Sequence, residues 1–563
     1  MEKYALQNAV KHSGRAELGA VVSKVLGDTP SLRSMAKDVA KAAAEIVGAV
    51  NALTLQQQTA ALGEKYPEML QERKAEEGRV GLPPLEGAVR GEVVLRLPPE
   101  PSGYMHIGHA MAFTINSEYR TTYGGTLWLR FEDTNPRKVA EKYYESFREG
   151  LAWLTIKWDK EKSVSSDLDV IYGYATKLIA YGNAYACACS PETVKKLRFE
   201  GTPCPHRSHS VETNLSIWQG MLARKYLEGK YVIRLKGDLA SLDYSLRDPN
   251  ILRIIDHPHP ITGSKYVVWP TYDFEVVVED EICGVTHILR SSEFHADLQE
   301  TIRKMLGMKP LHLEQFSRFN FKGTPVGKRY LRPLVEEGVV TGWDDPRMPT
   351  IEGVKRRGII PEAIKQFTLH VGYTKTEHTF DWSLLFAINR KLLDPVSKRL
   401  YFAPDPVRLT VEGAPRLDEV LQYHPTEKEL GSRTLATAGV FDVAGGDLES
   451  MKEGDLFRLI ELYNARLVSK GDGEARAEFA GRDLIKDSKK IQWVPAESGR
   501  AIEVLEPSEL YNEDGSMNKD SLRVRRGVVE ESFAGLQVGD IVQFLRYGFV
   551  RVDASDRCVR AHS

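Results

Sequence analysis

Two histidines one helical turn apart have the spacing in this sequence that best suits chemistry on a phosphate. His106 and His109 end the segment Pro98-Pro-Glu-Pro-Ser-Gly-Tyr-Met-His-Ile-Gly-His109. Residues three apart on a helix share a face, so both imidazoles can donate hydrogen bonds to phosphoryl oxygens that gain negative charge. Gly108 lets a nucleotide lie close against the backbone. The segment predicts stabilisation of a phosphoryl-transfer transition state; the alternative is a pair of ordinary helix-start histidines.

A second group of residues offers ligands for a metal ion. Cys187, Cys189, Cys204 and His206 present three thiols and one imidazole in two short arms, with fourteen residues between Cys189 and Cys204. Such a set can close a tetrahedral zinc site, and four protein ligands would make that zinc structural. His209 is an alternative ligand, and a metal-free knuckle is the other interpretation. Five cysteines, an odd number in a long chain, do not indicate a disulfide framework.

The elements that position the histidines are typical of an α/β sheet. A strand is predicted over 92–97, followed by a Gly/Pro turn and a helix beginning near His106. A strand, a tight turn and a helix N-terminus together place nucleotide phosphates in open α/β folds. A second strand is predicted over 126–131, and the α/β pattern continues to about residue 320.

The two ends of the chain have different textures. Apolar residues at helical spacing over 35–53 predict a helical N-terminal unit, and Gly81-Leu-Pro-Pro84 is predicted to be a linker. From about residue 400, short β-rich runs separated by Gly, Asp and Asn predict barrels. These runs include 407–411, 491–494, 501–505 and 539–552.

The net charge of −2 does not favour a protein that coats DNA, although local basic runs are compatible with a track for nucleic acid. No segment approaches the roughly 20 apolar residues that a membrane span needs. The N-terminus lacks the apolar core of a secretory signal. We therefore expect a cytoplasmic protein with neither a membrane nor DNA as a partner.

The histidine segment resembles the HIGH signature of class I aminoacyl-tRNA synthetases, and its longer form is similar to the glutamyl and glutaminyl branch of that family. Four further motifs follow in the family's order: Leu129-Arg-Phe-Glu-Asp-Thr-Asn-Pro136, Trp269-Pro-Thr-Tyr-Asp-Phe274, Gly284-Val-Thr-His-Ile-Leu-Arg290 and Gly342-Trp-Asp-Asp-Pro-Arg-Met-Pro-Thr350. The resemblance extends over most of residues 90–405. It implies joining of glutamate or glutamine to a transfer RNA in a reaction that uses ATP, which binds with Mg²⁺.

The resemblance also implies an architecture. It predicts an α/β Rossmann catalytic domain with an inserted acceptor-stem domain, a helical N-terminal extension and C-terminal all-β anticodon-binding barrels. The last feature is similar to the archaeal and eukaryotic type. The expected boundaries are 1–85 for the extension, 90–186 and 269–328 for the two catalytic halves, 187–268 for the insert, 329–391 for a helical connection and 392–563 for two barrels.

The family's second nucleotide motif, KMSKS, is matched less well by Thr324-Pro-Val-Gly-Lys-Arg329. The resemblance assigns Lys328 to the departing pyrophosphate, beside His106 and His109 in catalysis. It assigns ATP binding to Pro99, Ser102, Gly108 and Arg329. Gly327 stands where the family has serine, which predicts a more flexible loop with one hydrogen bond fewer. An ordinary surface loop is the alternative.

The resemblance places Arg96, Glu132, Tyr272 and Arg290 around glutamate. Arginine pairs with a carboxylate through two hydrogen bonds, and Arg290 stands where glutaminyl enzymes have a small uncharged residue. An unpaired arginine in a buried pocket would disfavour glutamine by several kcal/mol. Surface ion pairs are the alternative for Arg96 and Glu132, and a structural strand arginine is the alternative for Arg290. Ser291-Ser292 and Phe294 depart from the glutamyl pattern, and Phe294 is more similar to the glutaminyl branch.

Contacts with transfer RNA are expected at Arg399, near a family anticodon contact, and at Lys355 and Arg356, which could track phosphates. A surface salt bridge is the alternative at Arg399. The RNA partner is tRNA(Glu), either alone or together with tRNA(Gln). Two other functions compete: a glutaminyl synthetase on the same scaffold, and a non-catalytic relative that binds RNA. Arg290 opposes the first, and the two histidines oppose the second.

Overall fold

The computed structural model describes residues 1–11, 14–28, 36–66, 82–373, 375–471, 473–486 and 488–562. The chain divides into two compact units, Met1–Gly81 and Leu82–Ser563. No helix within the described ranges is long and apolar enough to span a lipid bilayer. Met35 and Gly81, at the edges of the predicted N-terminal helix and linker, lie outside the described residues.

The first unit is helical, as its apolar periodicity predicts. Its helices are Glu2–Lys11, Leu18–Asp28, Ala36–Asn51 and Leu55–Lys65. Buried Ala5, Leu6, Ala43 and Leu62 contribute to one small core. Gln58 is fully buried, and its Nε2 donates to the carbonyls of Gly14, Val50 and Leu53 at 2.9, 2.8 and 3.1 Å. The Gln58 amide therefore donates to backbone carbonyls at and beyond the ends of the short helices, where intrahelical partners are lacking.

The first part of the second unit is built on five parallel strands. Val94–Leu97 pairs with Thr126–Phe131, which pairs with Lys160–Ser163. His287–Ser291 pairs with His312–Phe316. The two groups meet where the amide of Val94 donates to Oγ1 of Thr286 at 2.9 Å and the amide of Thr286 donates to the carbonyl of Val94 at 3.0 Å.

The strand order therefore reverses at Val94–Leu97, since its neighbours on the two sides come from different parts of the chain. Ligands bind at such a switch point, beyond the carboxyl ends of the strands. The strands are apolar because helices cover them: Leu95, Leu97, Leu127 and Leu129 have no exposed surface. The associated helices are Ile107–Tyr123, Glu141–Trp153, Leu168–Ala180, Tyr272–Ile282 and Ala296–Leu306.

A second sheet lies between the two groups of parallel strands in the sequence. Its four antiparallel strands are Ala184–Cys187, Val232–Leu235, Asn250–Ile254 and Val268–Pro270. Two helices, Pro191–Glu200 and Val211–Leu222, belong to the same stretch. Trp218 and Trp269 are fully buried in the core that this sheet shares with the helix Tyr272–Ile282.

Helices dominate between the parallel sheet and the C-terminal region. They are Lys328–Glu336, Ile351–Arg357, Pro361–Val371 and Trp382–Leu393. Phe319–Phe321 and His378–Phe380 form a short parallel pair beside them. Lys328 is thus the first residue of a helix, with Gly327 at its N-cap, and the loop predicted around it comprises only the residues before it.

The C-terminal region contains two seven-stranded sheets, as the short β-rich runs predict. One consists of Arg399–Leu400, Phe402–Pro404, Arg500–Pro507, Leu522–Val529, Ile541–Phe544, Gly548–Ala554 and Arg557–His562. The other consists of Pro406–Glu412, Val440–Ala444, Leu456–Leu459, Asn464–Lys470, Glu474–Phe479, Lys489–Ile491 and Val494–Pro495. A hairpin, Leu417–Gln422 with Ser432–Thr437, and a short helix, Gly445–Glu449, complete the region.

Candidate active site

The two histidines begin the helix that follows the first parallel strand. The amide of His109 donates to Nδ1 of His106 at 3.4 Å, and the amide of His106 donates to Nδ1 of His109 at 3.3 Å. Their rings stack with centroids 3.7 Å apart and planes 22° apart. A Cβ added to Gly108 would lie 3.1 Å from Cε1 of His106, so glycine here also leaves room for the ring.

Both imidazoles are neutral donors. Burial, with the nearby charge of Lys328, lowers the pKa of His106 to about 4. Burial and the neighbouring His106 lower the pKa of His109 well below its ordinary value. Because each Nδ1 accepts a backbone amide, the single proton of each neutral ring resides on Nε2. The pair therefore offers two Nε2–H groups on neutral rings. Each can donate a hydrogen bond that stabilises a phosphoryl oxygen.

Lys328 contacts the turn that precedes the histidines. Its Nζ donates to Oε2 of Glu100 at 2.9 Å and to Oγ of Ser102. Burial would raise the pKa of Glu100, but Lys328, the Ser102 hydroxyl and Lys138 together lower that pKa below its ordinary value. The structure thus brings together the lysine and the histidine turn, as the sequence predicts. Arg329 lies beside them but is exposed, with its guanidinium 4.5 Å from the ring centroid of Tyr330.

Backbone hydrogen bonds to other segments also fix the position of the histidine turn. The amide of Ile107 donates to the carbonyl of Pro349 at 2.8 Å, and the amide of Ile351 donates to the carbonyl of Met105 at 2.9 Å. Further along the turn, the carbonyl of Pro99 accepts the amide of Glu132 at 2.9 Å. These bonds tie the turn to two other motifs of the sequence, so its conformation is set by tertiary contacts.

A chain of buried charges lies under the turn. Nε of Arg96 is 3.3 Å from Oδ1 of Asp280, and Nη1 of Arg130 is 2.8 Å from the same oxygen. Nε of Arg130 donates to Oε1 of Glu132 at 2.8 Å. None of these four side chains is more than 3% exposed. Asp280 therefore connects the two predicted substrate residues, Arg96 and Glu132, through Arg130.

The chain of charges leaves specific atoms without partners. Nη1 and Nη2 of Arg96 and Oε2 of Glu132 are buried, and no described residue forms a hydrogen bond with them. A buried charged atom without a partner costs stability unless a ligand satisfies it. Two parallel guanidinium donors suit a carboxylate, and a carboxylate oxygen suits an ammonium group. The arrangement therefore fits an amino acid with a side-chain carboxylate.

Arg130, Asp280 and Glu275 were missed in the sequence. Burial and the charge of Glu132 raise the pKa of Glu275 well above its ordinary value, and its Oε2 also lacks a partner among the described residues. A usable signal existed for Arg130, which lies within the apolar strand 126–131, because a charge in a buried strand must be paired. Asp280 lies between Glu279 and Glu281, so no such local signal distinguishes it.

Tyr272 and Arg290 lie in the same pocket. The charges of Arg96, Glu132, Arg290 and Asp280 all act on the Tyr272 hydroxyl, and burial raises its pKa to about 12. Arg290 is 5% exposed, and its guanidinium lies 5.4 Å from the ring centroid of Phe294. The structure thus brings together the four residues predicted around glutamate.

The predicted metal ligands form one cluster. Nδ1 of His206 lies 3.9, 3.4 and 3.7 Å from Sγ of Cys187, Cys189 and Cys204, and Sγ of Cys187 lies 3.7 Å from Sγ of Cys204. Zinc bonds of about 2.3 Å to sulfur and about 2.0 Å to nitrogen give tetrahedral edges of about 3.8 and 3.5 Å. The distances therefore fit zinc.

Arg234, which the sequence analysis missed, supports this cluster. It is 1% exposed, and its Nη1 lies 3.9 Å from Sγ of Cys187. Its Nε donates to the carbonyl of Asp248 at 3.0 Å. This buried guanidinium beside the Cys187 thiol would compensate part of the negative charge of the thiolates when a metal is bound. His209 packs its ring on that of His206 at 5.1 Å and lies outside the four-ligand set.

The residues predicted to bind RNA differ in their contacts. Arg356 forms two 2.9 Å bonds to Asp553 of a C-terminal strand and one of 3.1 Å to Asp344. Arg399 donates to Asp394 at 2.9 Å. Lys355 is exposed. An RNA contact stays a prediction for all three, but the guanidinium groups of Arg356 and Arg399 already have carboxylate partners.

The chain has a parallel sheet with a switch point, and the turn after its first strand carries two imidazole donors close to a lysine. These features define a protein that binds nucleotide phosphates. The chain belongs to the family of class I tRNA synthetases for E and Q. The catalytic-domain profile of that family matches residues 92–395, and its two anti-codon binding-domain profiles match residues 397–480 and 490–553. The two seven-stranded sheets therefore coincide with the anticodon-binding region.

Curated relatives are similar over nearly the whole chain. A glutamate–tRNA ligase from Cenarchaeum symbiosum is 40% identical and covers 100% of this chain and 98% of its own length. A glutamate–tRNA ligase from Pyrococcus abyssi is 41% identical, covering 98% of this chain and 96% of its own. One from Nitrosopumilus maritimus is 38% identical, with 100% and 98% covered.

Proposed function

We propose that this chain is a glutamate–tRNA ligase of archaeal type. It activates L-glutamate with ATP to glutamyl-adenylate and transfers the glutamyl group to the 3′-terminal adenosine of tRNA(Glu), releasing diphosphate and then AMP. The observation that carries this proposal is the buried Arg96, whose two Nη atoms lack partners among the described residues. The full-length similarity to glutamate–tRNA ligases supports it.

Glutamate is bound by opposite charges at its two ends. Nη1 and Nη2 of Arg96 and the guanidinium of Arg290 receive the γ-carboxylate, and Oε2 of Glu132 receives the α-ammonium group. Tyr272 lies among these charges, and burial keeps its hydroxyl protonated, because its pKa is raised to about 12. The hydroxyl is therefore a hydrogen-bond donor to the substrate at neutral pH.

Activation begins when the α-carboxylate of glutamate attacks the α-phosphorus of ATP. The bond from that phosphorus to the bridging oxygen breaks, and diphosphate leaves with its Mg²⁺. The Nε2–H groups of His106 and His109 stabilise the phosphoryl oxygens, and Lys328 exchanges Glu100 for the departing phosphates. Pro99, Ser102, Gly108 and Arg329 form the surrounding ATP site.

Transfer follows on the same site. A hydroxyl of the 3′-terminal ribose attacks the glutamyl carbonyl, and AMP leaves. The stretch 187–268 is proposed to hold the acceptor stem as an insert, with 90–186 and 269–328 as the catalytic halves and 329–391 as a connection. The two C-terminal sheets within 392–563 bind the anticodon, with Arg399 near it. Lys355 and Arg356 lie on the helix between these regions, where phosphates would pass.

Zinc is part of the proposal. Cys187, Cys189, Cys204 and His206 would hold it, because their ligand atoms all lie within 4.8 Å of one another. The ion would stabilise the short arms that carry these ligands, and four protein ligands leave no position for a substrate.

One assay separates this function from its competitors. We expect ATP–diphosphate exchange to depend on glutamate when purified tRNA(Glu) is present, and glutamine to support little exchange. Exchange with glutamine above that with glutamate would indicate the glutaminyl alternative, and exchange with neither would indicate the non-catalytic one. Arg290→Cys should abolish the preference for glutamate. Charging of tRNA(Glu) and tRNA(Gln) in parallel defines which RNA is accepted.

A further inference from the structure

The guanidinium of Arg290 is held by an amide. Nη1 of Arg290 donates to Oε1 of Gln299 at 2.6 Å, in the helix Ala296–Leu306. Gln299 is 6% exposed, so water contributes little to this contact. Nε of Arg290 is buried and has no partner among the residues that the structure describes. Gln299 is therefore a direct polar anchor of the arginine that faces the substrate.

The orientation of this amide is fixed by its second partner. Nε2 of Gln299 donates to Oδ1 of Asp273 at 2.8 Å, and Oδ2 of Asp273 lies 2.9 Å from Nδ1 of His295. A carboxylate accepts only from the NH₂ end of an amide, and a guanidinium donates only to the carbonyl end. The two partners thus lock the side chain of Gln299 in one position.

The neutrality of Gln299 has an electrostatic consequence. A glutamate of the same size at this position would form an ion pair with Arg290 and cancel its charge. With glutamine at position 299, the nearest carboxylate of this network belongs to Asp273. It contacts the Gln299 amide and not the Arg290 guanidinium itself. Burial, together with the positive charge of Arg96, lowers the pKa of Arg290 against the opposing effects of Tyr272 and Asp280. The pocket therefore keeps an excess of positive charge that a substrate carboxylate can neutralise.

We propose that Gln299 is a positioning residue for amino-acid specificity: it holds Arg290 through an uncharged amide, so that the arginine is placed for a γ-carboxylate and remains uncompensated until glutamate binds. The proposal rests on the proposed function. It predicts that moving a negative charge from position 273 to position 299 reduces the preference for glutamate without changing the total charge or the hydrogen-bond pattern of the network.

A double variant makes this exchange. In Gln299→Glu with Asp273→Asn, the new carboxylate accepts from both Arg290 and the new amide, so the network keeps its bonds. Asp273→Asn alone is the matched control, because an amide oxygen at 273 can still accept from Gln299 and leaves Arg290 without a direct counter-ion. Gln299→Met removes the anchor while adding no charge.

The readout is the ratio of the inhibition constants of non-hydrolysable glutamyl- and glutaminyl-adenylate analogues, together with kcat and KM for glutamate. We expect the double variant to lose at least about tenfold of the preference for the glutamyl analogue, mainly through a higher KM for glutamate. Asp273→Asn should keep the preference within about threefold, and Gln299→Met should lose it in part.

Two results would overturn the inference. One is an unchanged preference in the double variant that still folds, as judged by its melting temperature. The other is an equal loss of affinity for both analogues, which would make Gln299 only structural. Failure of the wild-type chain to use glutamate at all would contradict the proposed function instead, so the two failures are distinguishable.

Discussion

Nζ of Lys328 lies 2.9 Å from Oε2 of Glu100, although 228 residues separate them in the sequence. The ion pair holds the lysine on the turn that leads to His106, where a triphosphate would bind. Burial alone would raise the pKa of Glu100, but Lys328, with smaller contributions from Ser102 and Lys138, lowers it, so the carboxylate is charged at neutral pH. The proposed role of Lys328 therefore requires that nucleotide binding exchange one anionic partner of the lysine for another.

Replacing this lysine should impair activation. We expect Lys328→Gln to lower kcat for ATP–diphosphate exchange by about a hundredfold, because one preorganised donor to the transition state is lost. Lys322→Gln is the matched control: Lys322 is also exposed and paired, at 2.5 Å to Glu513, and its loss should leave kcat within about twofold. Equal kcat in both variants would contradict a catalytic role for Lys328.

The neutral histidine pair predicts a pH dependence of stability. The pKa of His106 falls from 6.5 to about 4 on folding, so between these values the unfolded chain binds a proton that the folded chain does not. The contribution of neutral His106 to the free energy of unfolding is therefore fully present above about pH 6.5. It is lost progressively as the pH falls towards 4. Between pH 7 and pH 5, the melting temperature of His106→Gln should fall by about 3 °C less than the melting temperature of the wild type falls.

His370→Gln provides the comparison for that experiment, because His370 is exposed. Its melting temperature should follow the wild type at every pH. Identical pH dependence in His106→Gln and the wild type would show that His106 is not kept neutral by folding.

The cysteine cluster predicts a bound metal. Purified protein should contain about one zinc ion per chain, and Cys189→Ser should lose it and lower the melting temperature, because structural zinc contributes folding free energy. His209→Gln should keep the zinc, since His209 stands beside the four ligands and not among them. Elemental analysis after gel filtration measures both. Zinc retained in Cys189→Ser and lost in His209→Gln would mean that the ligand set is wrong.

Arg356 and Asp553 predict a tether between the helix Ile351–Arg357 and the C-terminal sheet. Each of Arg356→Gln and Asp553→Asn should cost about 1–2 kcal/mol of unfolding free energy. The double variant should cost less than the sum, because the two side chains share two hydrogen bonds, although Arg356 also contacts Asp344 and Asp553 also contacts Arg557. Urea unfolding followed by fluorescence measures this. Fully additive losses would exclude the tether.

These two variants, together with Lys355→Gln, distinguish a tether from a contact with RNA. Lys355→Gln should raise KM for the transfer RNA several-fold and reduce its dependence on salt, because a phosphate contact releases counter-ions. Asp553→Asn should not change the salt dependence. If Arg356→Gln behaves like Lys355→Gln in this assay, Arg356 contacts the RNA in addition to Asp553.

Several features could be predicted from the sequence because they are local. The strand Thr126–Phe131 and the turn before His106 are encoded by consecutive apolar residues and by Gly and Pro, and the structure has them where they were expected. The four predicted metal ligands lie in two short arms, so their spacing alone indicated a cluster. The short β-rich runs after residue 400 likewise indicated strands, although not how these strands are divided between two sheets.

Only the tertiary structure decided which charges meet. Asp280 joins Arg96 and Arg130 because one helix packs against two parallel strands, and no local pattern specifies that register. The same holds for Gln299 on Arg290 and for Asp553 on Arg356. The sequence by itself determined the elements and the chemistry that they carry, since both depend on neighbouring residues. The pairing of buried charges depends on packing between distant elements, and that pairing decides which donors remain for the substrate.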